Sequence, residues 1–277
     1  MTAPSGRTFR QLHEPGNPFV LANAWDLGSA RVLEALGAEA IGTSSAAHAF
    51  TLGLPDMGHV SREQALDHAV AVASGVTVPV SGDLENGYGH AGTDVAETVR
   101  LAGAAGLAGC SIEDTALPDS RPYPMPDAVA RIEAAVTAAR ALPNDFVLVA
   151  RADGVMKGHY GVDEAIARIR AFESVGADCV YVPLPPTMAD LARICESVDV
   201  PVNALVAGPF VGYSRADFAE IGVARLSLGS ALARVTHRTL IDVSRRVLAD
   251  EGDFAVLGEG IPGSEVDALL VAIPPKG

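Results

Sequence analysis

Asp83 and Glu85 stand two residues apart in Ser81-Gly82-Asp83-Leu84-Glu85-Asn86-Gly87-Tyr88-Gly89, directly after the apolar stretch Val76-Thr77-Val78-Pro79-Val80. Glu113 opens a second acidic pair, Glu113-Asp114, directly after Cys110-Ser111-Ile112. A carboxylate at the end of an apolar strand is costly unless it binds a cation or is otherwise paired. Asp83, Glu85 and Glu113, at the ends of two successive strands, would make a hard-oxygen site suited to Mg²⁺ or Mn²⁺. Arg151 follows a further apolar run, and its planar fork suits a substrate carboxylate or phosphonate. The same residues also permit an ion-pair network without any metal, although three acids outnumber one arginine.

Other strand ends add candidates. Thr43-Ser44-Ser45-Ala46-Ala47 is a small-residue turn whose amides and hydroxyls can hold a carboxylate or an oxyanion, or can simply pack tightly. Trp25 follows the first strand and Asn203 ends the seventh, which makes both substrate-contact candidates. Asp56, in Gly53-Leu54-Pro55-Asp56-Met57-Gly58-His59, lies on a loop that would reach over the site, or else serves as a cap or turn residue. The segment 115–126 has four prolines and no apolar periodicity, so it is a candidate lid. His48, His59, His90 and His159 lack partner spacing, and no Gly-x-Ser-x-Gly elbow supports hydrolase chemistry.

These residues need a frame. Eight short apolar runs recur, near residues 19–22, 40–43, 78–80, 109–112, 146–150, 179–182, 200–203 and 224–228. Most are continuous rather than alternating, as parallel strands covered on both faces require. Helical patterns lie between them, at 62–73, 94–105, 128–141 and 164–175. Gly37, Gly106, Gly176 and Gly222 each precede a strand, where glycine in the left-handed conformation ends a helix and turns the chain into the sheet. Eight β/α units close a (β/α)₈ barrel, whose strand C-termini form the active face. A doubly wound open sheet is the alternative, but no Gly-x-Gly-x-x-Gly follows the first strand. The expected organisation is one barrel domain over 1–277, with a lead-in at 1–17 and an oligomerisation segment at 250–277. A long helix is expected over 231–248 and a short apolar one over 264–271. The latter would cover either a partner subunit or the barrel's own underside.

The chain has 277 residues, of which 49% are hydrophobic and 19% charged, enough for a large core. A net charge of −14 without basic clusters argues against nucleic acid or anionic membranes as partners. A local metal and arginine still allow an anionic substrate. Cys110, Cys179 and Cys195, odd in number and unpaired in spacing, read as reduced thiols in a cytoplasmic protein. Neither a signal peptide nor an apolar run of membrane-spanning length is evident.

The chain resembles the isocitrate lyase/phosphoenolpyruvate mutase superfamily over nearly its whole length. The resemblance rests on Asn23-Ala24-Trp25-Asp26, Thr43-Ser44-Ser45, Leu52-Gly53-Leu54-Pro55-Asp56, the Asp83–Gly89 segment, Ile112-Glu113-Asp114, Ala150-Arg151-Ala152-Asp153 and Leu226-Ser227-Leu228-Gly229-Ser230. It implies a barrel assembled as a homotetramer with a C-terminal helix exchanged between neighbours. It implies Mg²⁺ (or Mn²⁺) held near Asp83, Glu85 and Glu113, largely through waters. The implied substrate is a 2-oxo acid or its enolate, its carboxylate against the Ser44, Ser45 and Ala46 amides and Arg151. Arg151, Glu113 and Asp56 would then be the catalytic residues. Two departures narrow the reaction. The second aspartate of the family's Asp-x-Asp is Glu85, and the stretch after Glu113-Asp114 carries neither the lyases' cysteine motif nor the mutases' Lys-Thr-Asn-Ser. Carbon–carbon cleavage or decarboxylation of a small 2-oxo (di)carboxylate is the expected chemistry. P–C bond chemistry and a non-catalytic 2-oxo acid binding protein are the alternatives.

Overall fold

The computed structural model of the chain describes residues 6–272. The ends of the lead-in 1–17 and of the segment 250–277 therefore lie outside the described residues. Eight parallel strands close into a barrel in chain order: β1 (Phe19–Ala24), β2 (Ala40–Thr43), β3 (Val80–Asp83), β4 (Gly109–Glu113), β7 (Val147–Arg151), β8 (Cys179–Tyr181), β9 (Val202–Leu205) and β10 (Arg225–Ser227). The remaining pair, β5 (Thr115–Ala116) and β6 (Arg121–Pro122), forms a small antiparallel ribbon outside the barrel. The two Val-Pro-Val runs enter the barrel later than their apolar character suggests. Proline has no N–H for a ladder, so β3 and β9 begin after Pro79 and Pro201, whose carbonyls still accept from Ile41 and Val180.

The helices follow in order: α1 (Phe9–Leu12), α2 (Leu27–Ala35), α3 (Ser45–Thr51), α4 (Arg62–Gly75), α5 (Gly92–Ala104), α6 (Met125–Arg140), α7 (Val162–Ser174), α8 (Met188–Glu196), α9 (Arg215–Glu220), α10 (Ala231–Val247) and α11 (Gly263–Val271). Gly37, Gly106, Gly176 and Gly222 all have positive φ, between 81° and 98°, where an L side chain would be strained. The core lies between strands and outer helices, with Ile41, Val72, Leu107, Ile132, Leu148 and Phe172 fully buried. Beneath the barrel, α1 inserts Phe9 and Leu12 against Phe19 and Val147.

The C-terminal helices are less covered. Along α10 only Ala233 is buried, while Val235, Leu240 and Ile241 are exposed, as are Leu248 and Phe254 beyond it. Within this chain α11 lies against α2, where Arg31 donates to the Leu270 carbonyl at 3.3 Å. Among the described residues no helix is long and apolar enough to cross a membrane.

Candidate active site

The C-terminal mouth of the barrel opens into a cavity of about 150 Å³. An engineered cavity of about that size takes a benzene-sized guest, so this one suits a small acid rather than a nucleotide. Ser44, Ser45, Ala46, Asp56, Asp83 and Arg151 all line it. Their convergence follows from the barrel, because each ends a strand or begins the loop after one.

Asp83, the last residue of β3, is held on both oxygens. Its Oδ2 accepts from the Ser45 amide (3.0 Å) and hydroxyl (2.8 Å), and its Oδ1 accepts from Arg151 (2.7 Å). Ser44 caps α3 by accepting from the Ala47 amide at 3.3 Å. The Ala46 N–H, in the first turn of α3, has no intrahelical acceptor and remains available at the cavity wall.

Arg151 is oriented from below. Asp153, fully buried, accepts from Arg151 Nε at 3.1 Å and Nη2 at 2.9 Å, a two-point grip that fixes the guanidinium plane. Glu113 approaches the same guanidinium at 3.6 Å. A second cation, Lys157, joins them at 3.3 Å from Glu113 and 3.6 Å from Asp153. Burial and the adjacent Asp153 push Glu113 far above the usual carboxylate range. Burial also works against Asp153, yet Arg151 beside it holds that group below the range. Burial beside Asp153 thus favours the neutral form of Glu113 over that of its neighbour. Arg151 and Lys157 together face Asp83, Glu113 and Asp153. The competing pictures of this arginine, structural ion pair or substrate fork, meet here: it is locked by acids and still lines the cavity.

The neighbouring Glu113-Asp114 pair divides by direction. Glu113 points inward, while Asp114 accepts from Tyr160 (2.7 Å), Arg168 (3.0 Å) and the Asp153 amide (2.9 Å) outside the barrel. Glu85 also turns away from the cavity. Its φ of +47° reverses the chain, and its carboxylate accepts from the Gly58 amide at 3.1 Å. Burial, with Asp83 and Asp56 adding repulsion, raises Glu85 to about 7. Asp56 accepts from its neighbour Met57 at 2.8 Å and is likewise raised, mainly by burial. Among the described residues, neither Glu85 nor Asp56 has a cation within ion-pair distance, and no three acidic, His or Cys side chains gather tightly enough to ligate an ion directly. The donor set of Asp56, Asp83, Glu85 and Glu113 consists entirely of hard oxygens that disfavour one another's charge. It fits a divalent cation reached through water, not a bare ion in a cage.

Two predicted contacts lie off the cavity. Trp25 uses its amide on Ser29 and its carbonyl on His68. Asn203 is fully buried one layer down, donating to Ser227 at 2.9 Å and accepting from Arg225 at 2.8 Å. The 115–126 segment forms the β5–β6 ribbon, pinned through Tyr123, whose amide donates to Asp114 O (2.8 Å) and whose carbonyl accepts from Arg168 (2.9 Å). In this structure no residue of 115–126 lines the cavity. The Asn86-Gly87-Tyr88-Gly89 turn folds onto α5, where Thr98 donates to Gly87 O at 2.7 Å. Buried Arg131 ties it down further by donating to the carbonyls of Asn86, Gly89 and His90.

The residues not foreseen are Lys157, Tyr181, Arg225 and the serines Ser81, Ser111 and Ser227. All but Lys157 line the cavity. Lys157 had a signal, since the whole chain holds two lysines and the other is Lys276, near the C-terminus. Arg225 had one too, as a single charge inside the apolar run Ala224-Arg225-Leu226.

Fold and mouth together define a (β/α)₈ barrel with a small polar cavity at its strand C-termini. The profile of the phosphoenolpyruvate phosphomutase family matches residues 9–248. An uncharacterized protein of Mycobacterium tuberculosis is 33% identical over 95% of this chain and 96% of its own length. An oxaloacetate decarboxylase of Paraburkholderia xenovorans is 35% identical over 73% of this chain and 68% of its own. Among solved structures, a provisionally assigned lyase/mutase of Burkholderia cenocepacia J2315 superposes with a TM-score of 0.90 at 39% identity, covering 97% of this chain and 95% of that one. A phosphonopyruvate hydrolase solved with oxalate and Mg²⁺ superposes at 0.80 with 25% identity, covering 93% and 91%. The chain belongs to the isocitrate lyase/phosphoenolpyruvate mutase superfamily.

Proposed function

We propose that this protein is a Mg²⁺-dependent enzyme that cleaves a carbon–carbon bond, by lysis or decarboxylation, in a small 2-oxo (di)carboxylic acid through an enolate. The observation that carries the reading is the gathering of Asp56 and Asp83 beside the fixed fork of Arg151 at one small cavity. The relative named oxaloacetate decarboxylase and the hydrolase holding oxalate and Mg²⁺ support it. Asp83, Glu85 and Glu113, with Asp56, would hold the metal through water. When bound, it would supply positive charge beside the substrate's carbonyl group.

The chain's own residues do the rest. The Ala46 amide, with Ser44 and Ser45, holds the substrate carboxylate. Arg151, kept planar by Asp153, faces the oxygen on which negative charge grows as the bond breaks. Asp56, raised by burial, stands at the cavity wall as the group that would move a proton. The cavity's size excludes bulk water once an acid of this class fills it. We place the enzyme in the cytoplasm as a homo-oligomer. The exposed apolar residues of α10 and of residues 250–272 would cover a second copy, with helix exchange as one form of that contact.

The test is a calorimetric titration with oxalate. Wild type should bind it only with Mg²⁺, and Asp83→Ala should lose that metal-dependent binding. An unchanged titration in the variant would count against the site. The family profile and the phosphonopyruvate hydrolase favour P–C chemistry as a second reading. Phosphate release from phosphonopyruvate separates the two.

A further inference from the structure

The cavity has an arginine at each end, and only one of them is neutralised. Residues paired in register across four adjacent strands run Arg151, Tyr181, Asn203, Arg225. Arg151 is the last residue of its strand and Arg225 the first of its own, so the row descends from the mouth into the barrel. Three strand steps at about 4.8 Å span roughly 14 Å along the wall, shortened by the reach of both arginines into one cavity. Arg151 meets Asp83, Asp153 and Glu113. Arg225, only 3% exposed, has no ion-pair partner among the described residues.

Its hydrogen bonds are few. Nε donates to Asn203 at 2.8 Å, and one terminal nitrogen sits 3.5 Å from His13 Nε2. His13 donates through Nδ1 to Phe9 O at 2.9 Å, which leaves Nε2 as the acceptor. A guanidinium has five N–H donors, so most of this one is unclaimed. A buried cation without a counter-ion is costly, and burial accordingly lowers the proton affinity of Arg225. The cavity wall is hydroxyl-rich, with Ser81, Ser111, Tyr181 and Ser227 beside the apolar Leu21 and Leu205. An anion entering the mouth finds the upper guanidinium occupied by carboxylates and the lower one free.

We propose that Arg225 is the specificity-determining residue for a second carboxylate, so that the substrate is a small dicarboxylate held lengthwise between the mouth and Arg225. This rests on the reading of the mouth as a 2-oxo acid site. A monocarboxylate or a bulky acid leaves Arg225 unpaired and is bound less well.

The test uses the full chain with Mg²⁺ and three non-reacting probes: oxalate, lactate and malate. Lactate and malate share a 2-hydroxy acid head, and malate adds the distal carboxylate. Wild type should prefer malate to lactate by about 10- to 100-fold, the range of a charge-assisted hydrogen bond. Arg225→Met should bring malate down to the lactate level. Oxalate, which carries nothing to reach Arg225, should keep its affinity within about threefold of the wild-type value. Arg225→Lys, which keeps the charge without the fork, should retain part of the preference, and it carries the test if the methionine variant does not fold. A wild type without preference for malate, or a folded Arg225 variant with undiminished preference, overturns the inference. If wild type fails to bind oxalate at all, the reading of the mouth falls first. If oxalate binds and the malate-to-lactate ratio ignores Arg225, only the second-carboxylate assignment falls.

Discussion

Arg151→Lys isolates what the guanidinium plane contributes. The wild-type side chain makes three charge-assisted hydrogen bonds, at 2.7 Å to Asp83 and at 2.9 and 3.1 Å to Asp153. Lysine keeps the positive charge, so Asp83 and Asp153 are not left without a cation and the chain should still fold. A single ammonium cannot span Asp153 at two points while also meeting Asp83. The cation then loses its fixed direction toward the substrate oxygen. Removing one preorganised donor of this kind costs about 2.7–4 kcal/mol of transition-state stabilisation, or about 10²- to 10³-fold in rate. The assay is steady-state kinetics on oxaloacetate with Mg²⁺, followed by pyruvate release, alongside thermal melting of both proteins. The expected result is a loss of that size in kcat/KM, most of it in kcat, with melting little changed. A folded variant within about tenfold of wild type would refute the claim that Arg151 faces the developing charge.

Two further outcomes follow from the buried charges. Lys157→Met should destabilise the fold by up to the roughly 3–5 kcal/mol of a broken buried pair, since Glu113 and Asp153 both lose a cation. Adding Glu113→Gln should recover part of that loss in urea titrations, and additive losses would contradict the coupling. His13 is driven from 6.5 to about 3 by burial and the nearby Arg225, so it is neutral when folded. The unfolded chain takes up that proton below about pH 6.5, and wild-type stability should therefore fall as pH drops from there toward 3. The contribution is about 1.4 kcal/mol per pH unit. His13→Gln should show a correspondingly shallower acid limb in denaturant midpoints, and identical limbs would contradict the assignment.

The frame was largely legible because its signals are local. Continuous apolar runs mark strands covered on both faces, and glycine before alternate strands marks where helices end. Asp83 and Arg151 were equally legible, since a charge that closes an apolar strand is conspicuous in sequence. Direction was not. Asn203 and Asp83 both follow a Val-Pro-Val run, yet Asp83 is the last residue of β3 and Asn203 only the second of β9, so Asn203 sits a layer lower. Glu85 turns outward through a positive φ that its own side chain does not announce. Lys157 and Arg225 depend on contacts between distant segments, and only their rarity or odd placement gave a hint. The prolines of 115–126 signalled an irregular loop, but Asp114 and Arg168, which fix it outside the cavity, act through tertiary contacts.

Metal-dependent cleavage of a small 2-oxo acid is measured directly by turnover. Purified wild-type protein should be offered a panel of 2-oxo acids, 2-methylmalate-type acids and phosphonopyruvate, each with Mg²⁺ and with chelator. The expected result is release of a carbon–carbon cleavage product, CO₂ or a smaller oxo acid, from at least one dicarboxylate, abolished by the chelator. Phosphate release from phosphonopyruvate alone, or oxalate binding with no turnover across the panel, would contradict it.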